Sequence, residues 1–135
     1  MIRYKTGFKI NTEQFIDLLR RSSLASRRPV DDLKCIQSML DNADILISAW
    51  NGETLVGIAR SVSDFSYCCY LSDLAVDETF QKQGIGKELI SKTQKLLGPK
   101  CKIILLSAPA AVEYYPKIGF EKHNQCWILS REKEV

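Results

Sequence analysis

Leu74-Ala75-Val76-Asp77-Glu78-Thr79-Phe80-Gln81-Lys82-Gln83-Gly84-Ile85-Gly86-Lys87 is the stretch on which the fold turns. It leaves an apolar, strand-like run, crosses a polar turn, and enters a helical stripe of Leu89, Ile90, Thr93, Leu96 and Leu97. At such a junction the first helical N–H groups have no partner within the helix, and the positive end of the helix dipole faces the same way. The result is a place for phosphate oxygens. Gly84 and Gly86 let the backbone approach a pyrophosphate with no Cβ between them, while Lys82 and Lys87 add positive charge. A bare Gly-x-Gly also serves as a plain strand-to-helix turn. Two rival phosphate motifs are absent: the chain has no GxxxxGK[ST], and Gly84 to Leu89 lacks the third glycine of the dinucleotide fingerprint.

Upstream, Ile2 to Lys5 alternates as a short strand does, and Asn11 with Gln14 three residues later reads as a helix start placing Phe15, Leu18, Leu19 and Ser22 on one side. Pro29 can open a second helix, with Leu33, Ile36 and Leu40 at helical spacing. Ile45–Trp50 and Leu55–Val62 flank Asn51-Gly52, a hairpin dipeptide, and Tyr67–Val76 follows a turn at residues 64–66 as a third antiparallel strand. Downstream, Gly98-Pro99 stops the helix and Ile103–Leu106 reads as a buried strand. A short helix from about Ala110 to Tyr115 comes next, then extended chain from Gly119-Phe120 to Trp127, Ile128 and Leu129. This order predicts an α/β fold with a mixed, mostly antiparallel central sheet flanked by helices on both faces. Ligands in open α/β sheets gather outside the strand ends where the connections change, which again marks the turn from Val76 to Gly86.

The 135 residues suit one domain, 1–135, with 45% apolar content. Nineteen basic against 16 acidic side chains give a net charge of +3, too mild to argue for nucleic acid or a membrane surface as partner. Five cysteines (Cys35, Cys68, Cys69, Cys101, Cys126) show neither zinc nor CxxC spacing, so reduced, mostly buried thiols and no metal are expected. Cys68 and Cys69 would point to opposite faces of a strand. No window reaches the ~20 apolar residues of a membrane span, and no apolar run follows the basic N-terminus, so a cytoplasmic location is expected.

Gln81-x-x-Gly84-x-Gly86, after a strand ending Leu74-Ala75-Val76-Asp77, resembles the Q/R-x-x-G-x-G/A acetyl-CoA signature of the GNAT acetyltransferases. Ala110 or Ala111 to Phe120, with Tyr114, Tyr115, Lys117, Ile118, Gly119 and Phe120, is similar to that family's closing A-x-x-x-[FY]-Y-x-K-[LI]-G-F stretch. The two motifs stand in the family's order and separation; the first 45 residues match only in pattern.

The resemblance implies acetyl-CoA as co-substrate and direct attack by a bound amine on its thioester, with a small-molecule acceptor favoured over a protein. Backbone amides from Gln83 to Lys87 would hold the pyrophosphate, with Gln81, Lys82 and Ile85 in the same loop. Leu74, Ala75 and Val76 would lie along the pantetheine arm, on a strand that splays from its neighbour at a bulge, with an oxyanion-binding N–H near Leu74. Tyr115 aligns with the tyrosine that protonates the departing thiolate, a role a phenol can fill; Pro116 after it disfavours helical geometry at Tyr115. Asp73 is the leading candidate for the base that frees the amine, with a hydrogen-bonded structural carboxylate as its other reading. Glu113 and His123 read as surface residues. Arg20, Arg21, Arg27 and Arg28 lie near the family's acceptor entrance and read as a solvated basic face or as the mark of an acidic acceptor. A homodimer through residues 127–130 is a further expectation, and a CoA-binding module without catalysis is the alternative to an enzyme.

Overall fold

The computed structural model describes all 135 residues. Five strands, β1 (Ile2–Thr6), β2 (Ile45–Asn51), β3 (Thr54–Ser63), β4 (Cys68–Val76) and β5 (Lys102–Ile104), form one sheet in the order β1-β2-β3-β4-β5. The first three pairings are antiparallel and β4 with β5 is parallel, so the sheet is mixed as the sequence predicts. Gly52 opens the β2–β3 turn at φ 61°, an angle glycine adopts without a Cβ penalty. In the β3–β4 turn one oxygen of Asp64 accepts from the N–H groups of Ser66, Tyr67 and Cys68 at 2.8–3.0 Å. Those donors favour the carboxylate and hold Asp64 below its ordinary pKa.

Helix α1 (Thr12–Arg21) starts with the expected capping box: Asn11 Oδ1 accepts from the Gln14 N–H at 2.8 Å, and Gln14 Oε1 from the Asn11 N–H at 3.1 Å. Helix α2 (Leu33–Asp41) starts later than Pro29. The Asp32 side chain accepts from the Cys35 N–H and caps it, so a better cap four residues on displaces the start that proline alone would set. Helix α3 (Ile85–Gln94) follows the glycine loop, and α4 (Tyr114–Lys117) is one turn.

The apolar faces meet in two layers. Phe15, Leu18 and Leu19 of α1 and Ile36 of α2 pack with Trp50, Ile58 and Ala75 on one side of the sheet. Ile85, Leu89 and Ile90 of α3 pack with Ile47, Ala49, Val56 and Leu71 on the other, where Tyr115, Ile118 and Phe120 border the cluster. Helices therefore cover both faces, and α3 sits closest at Gly57, where a Cβ would meet Ile85, Leu89 and Ala49 at 3.1–3.3 Å.

Three expectations need correction. The strand after α4 does not form: Trp127, Ile128 and Leu129 are 91%, 70% and 61% exposed and lie outside the sheet. Their β-propensity is worth little without a neighbouring strand to pair with. β5 is three residues long and ends at Ile104, not Leu106. All five thiols are free, but only Cys69 is buried, while Cys68 and Cys126 are exposed; Cys68 and Cys69 do face opposite ways, and burial pushes the Cys69 thiol up. No helix is long and apolar enough to cross a membrane.

Candidate functional site

β4 and β5 pair only from Cys68–Lys102 to Tyr70–Ile104, and beyond that point the strands part. The second half of β4 keeps β3 as its one strand neighbour, which leaves a cleft along Leu71–Val76. The β3 register steps from Arg60↔Asp73 to Ser61↔Leu71, so Ser72 is an extra residue in β4, a bulge of the kind the resemblance implied. Ser72 Oγ accepts from Arg60 at 3.0 Å and its carbonyl from Arg28 at 2.8 Å.

Below the bulge lies Asp73, with no exposure at all. Arg28 Nε and Arg60 Nε donate to its two oxygens, each at 2.5 Å. Charge-assisted bonds of this kind are what make a buried carboxylate tolerable. Of the two readings of Asp73, the hydrogen-bonded structural carboxylate is the one its surroundings favour. Arg60, which no sequence motif singles out, joins β3, β4 and, through the Met39 carbonyl, α2.

At the far end of β4 the phosphate-cradle loop takes shape. Lys82 and Gly84 adopt left-handed backbone at φ 64° and 83°, and the α3 ladder opens only with the Glu88 N–H on the Gly84 carbonyl at 3.0 Å. The N–H groups of Ile85, Gly86 and Lys87 are therefore left for an anion. Gln81 Nε2 donates to the Val76 carbonyl at 3.0 Å and ties the loop to the strand end. Gln81, Lys82, Gln83, Gly84 and Lys87 are exposed, while the side chains of Ile85 and Ala75 belong to the core, so only their backbones face a ligand. At Gly86 a Cβ would stand 2.9 Å from the Tyr114 hydroxyl. The glycine therefore makes room for Tyr114, and the loop's free N–H groups could hold a pyrophosphate. Tyr114 is its neighbour in space, a pairing invisible in the sequence because 28 residues separate the two.

Tyr115 stands in the cleft with Leu74, Leu105 and Ala108. Its ring meets those of Tyr114 and Phe120 edge-on, at centroid separations of 5.2 and 5.3 Å. Burial, with a smaller contribution from Tyr114, pushes the phenol up to about 12, so it keeps its proton across the physiological range. Pro116 does not disturb this geometry. It is the third residue of α4, where its missing N–H has no helical partner to lose, and the Tyr115 carbonyl closes the turn by accepting from Ile118 and Phe120 at 3.1 and 3.0 Å.

The opposite wall is residues 22–32, irregular except for a 3₁₀ turn at Ala25–Arg27. Arg21 donates to Asp77, to Asp17 and to the Leu55 carbonyl, and Ser23 to Glu78, so the end of α1 is bound to the turn that leads into the loop. Burial alone would raise Asp77, but the Thr79 N–H and hydroxyl and the Arg21 guanidinium outweigh it and hold the carboxyl below its usual range. The arginine cluster divides: Arg21 and Arg28 are tied to buried acids, whereas Arg20 and Arg27 are exposed. Leu74, Tyr115, Arg27 and Arg28 share the cleft; Asp73 sits under it; Glu113 and His123 are exposed.

Comparison with known proteins finds the same fold. The profile of the acetyltransferase (GNAT) domain matches residues 27–127. An uncharacterized N-acetyltransferase ycf52-like protein of Prochlorococcus marinus is 28% identical over 129 residues, covering 87% of this chain and 70% of that one. Several further curated relatives are longer, and the chain spans 27% to 55% of their length. Among solved structures, a probable acetyltransferase from methicillin-resistant Staphylococcus aureus superposes with a TM-score of 0.79 at 18% identity, covering 96% of this chain and 100% of that one. The aminoglycoside N-acetyltransferase AAC(6')-Iy in complex with CoA reaches 0.72 at 18% identity over 98% and 96%; at such identities the likeness is one of fold. With the domain profile over three-quarters of its length, a bulged β4 and a glycine loop in the expected place, the chain belongs to the GNAT family of N-acetyltransferases.

Proposed function

We propose that this protein transfers the acetyl group of acetyl-CoA to a primary amine, a small molecule rather than a protein, by direct attack with both substrates bound. The observation that carries the reading is the cleft beside the bulged β4 that holds Tyr115 next to Leu74, with the left-handed glycine loop following the end of the same strand. Residues 81–87 would hold the pyrophosphate and Leu74–Val76 would line the pantetheine arm, while acetyl-CoA supplies the activated thioester. One ammonium proton passes to water, the amine nitrogen bonds to the acetyl carbon, the C–S bond breaks as Tyr115 gives its proton to the sulfur, and the second proton leaving the nitrogen is passed through water to restore Tyr115. A backbone N–H near Leu74 stabilises the charge that develops on oxygen. Asp73 serves this chemistry as a positioning residue: with a guanidinium on each oxygen it holds Arg28 at the cleft and is poorly placed to accept the amine's proton.

Tyr115→Phe is expected to slow acetyl transfer by about 10²-fold, the usual span of one general acid, with CoA affinity unchanged in calorimetry. An undiminished rate would remove the acid role. A phenol held near 12 leaves the rising limb of rate against pH to the acceptor amine, with no fall due to Tyr115 below that value. The second reading, a CoA-binding module without catalysis, draws on the absence of any carboxylate among the cleft residues; tight CoA binding with no turnover on any amine would establish it. Five free thiols favour a reducing compartment, cytoplasm or plastid. We also propose a one-domain unit that pairs with a second copy through the exposed Trp127–Leu129 segment.

A further inference from the structure

The cleft that receives the acceptor carries a charge the reaction does not use. Its walls are mostly apolar, including Leu24, Leu71, Leu105 and Leu106, and its charged lining residues are Arg27 and Arg28, with no acid among them. Arg28 is committed: it donates to Asp73, to the Ser72 carbonyl and to the Arg27 carbonyl. Asp73 is shared with Arg60, so its single negative charge faces two guanidiniums and cancels only one. Arg27 adds a third cation, and its side chain is paired with no carboxylate. The nearest acids along the chain, Asp31 and Asp32, are exposed and do not line the cleft, Asp32 capping α2, while Glu78 is taken by Ser23 and Asp77 by Arg21. The balance over Arg27, Arg28, Arg60 and Asp73 is three positive charges against one negative, in a cleft whose low-dielectric walls focus the field.

A polycationic acceptor would meet repulsion there and find no carboxylate to hold its spare ammonium groups. We infer that the acceptor is an amine on an apolar body that also carries a carboxylate, and that Arg27 receives that carboxylate while the leucines cover the body. The inference rests on the proposed acetyl transfer and adds its substrate class. A guanidinium matches a carboxylate by two parallel hydrogen bonds, so Arg27 would set orientation as well as affinity. Aminoglycosides, the acceptors named for two of the structural neighbours, are the opposite kind of molecule.

Purified protein with saturating acetyl-CoA would be offered phenylalanine, its carboxamide, phenethylamine and spermidine, following free CoA thiol. The expected result is a kcat/KM for the free carboxylate at least about tenfold above the carboxamide and the other two, the worth of one charge-assisted hydrogen bond. Arg27→Glu should abolish that preference and Arg27→Lys retain most of it, both with CoA affinity intact by calorimetry. Equal or faster turnover of the carboxamide, phenethylamine or spermidine, or a preference that survives Arg27→Glu, overturns the inference and leaves acetyl transfer standing. CoA binding with no transfer to any of the four overturns the inference, and no transfer across a wider amine panel overturns acetyl transfer as well.

Discussion

Asp73 accepts from two guanidiniums that come from distant parts of the chain, 45 residues before it and 13 residues before it. Removing one partner of a buried ion pair costs about 3–5 kcal/mol, because the other charge is left uncompensated. Asp73→Asn is therefore expected to lower unfolding stability by that order in urea titration, far more than an exposed Glu113→Gln. A hydrogen-bonded structural carboxylate is one of the two readings the sequence allows for Asp73. Its partners were not legible, since Arg28 and Arg60 lie in different elements and only the bulge at Ser72 brings them to one carboxylate. Asp77 adds a pH signature. Its pKa is depressed in the folded state, so its contribution is present above the unfolded value, about 3.9, and is lost as pH falls through the lower folded one. Asp77→Asn should thus be less stable than the parent at pH 7 in thermal melts, and the gap should close as the pH falls through the lowered folded value.

Among elements, α3 packs tightly on β3, and Gly57 is the residue that permits it. Alanine there would gain about 0.4–1 kcal/mol by restricting the unfolded chain. Against that, its methyl would press on three side chains at 3.1–3.3 Å, and overpacking of this kind costs about 1–3 kcal/mol. The second effect wins, so Gly57→Ala should lower the thermal midpoint, with CoA affinity reporting whether the glycine loop at the head of α3 shifts too. Periodicity made α1 and α3 readable, because each has one face on a core, and the β2–β3–β4 meander was readable as apolar runs between turns with local chemistry. It failed for the segment ending in Leu129 because strand formation depends on a partner that no local pattern names. It also misplaced the start of α2, since both Pro29 and Asp32 can open a helix and only the hydrogen bond to Cys35 decides between them.

For the whole molecule, the exposed Trp127, Ile128 and Leu129 form a contiguous apolar surface that a second copy would bury. The 15.3 kDa chain should elute as a dimer on a sizing column, and Trp127→Ser should shift it to the monomer position; a monomer for the parent chain would remove the pairing proposal. The site within each copy is bounded by two walls of unequal stiffness. β4 is laddered to β3 along its length, whereas residues 22–32 hold only one 3₁₀ turn and are moored at Ser23–Glu78 and Arg28–Asp73. Mutational drift can therefore rebuild the second wall between its moorings without touching the strand that carries the anion loop. New acceptor preferences in descendants of this protein should arise by changes at Leu24 to Arg27, with cofactor affinity inherited unchanged.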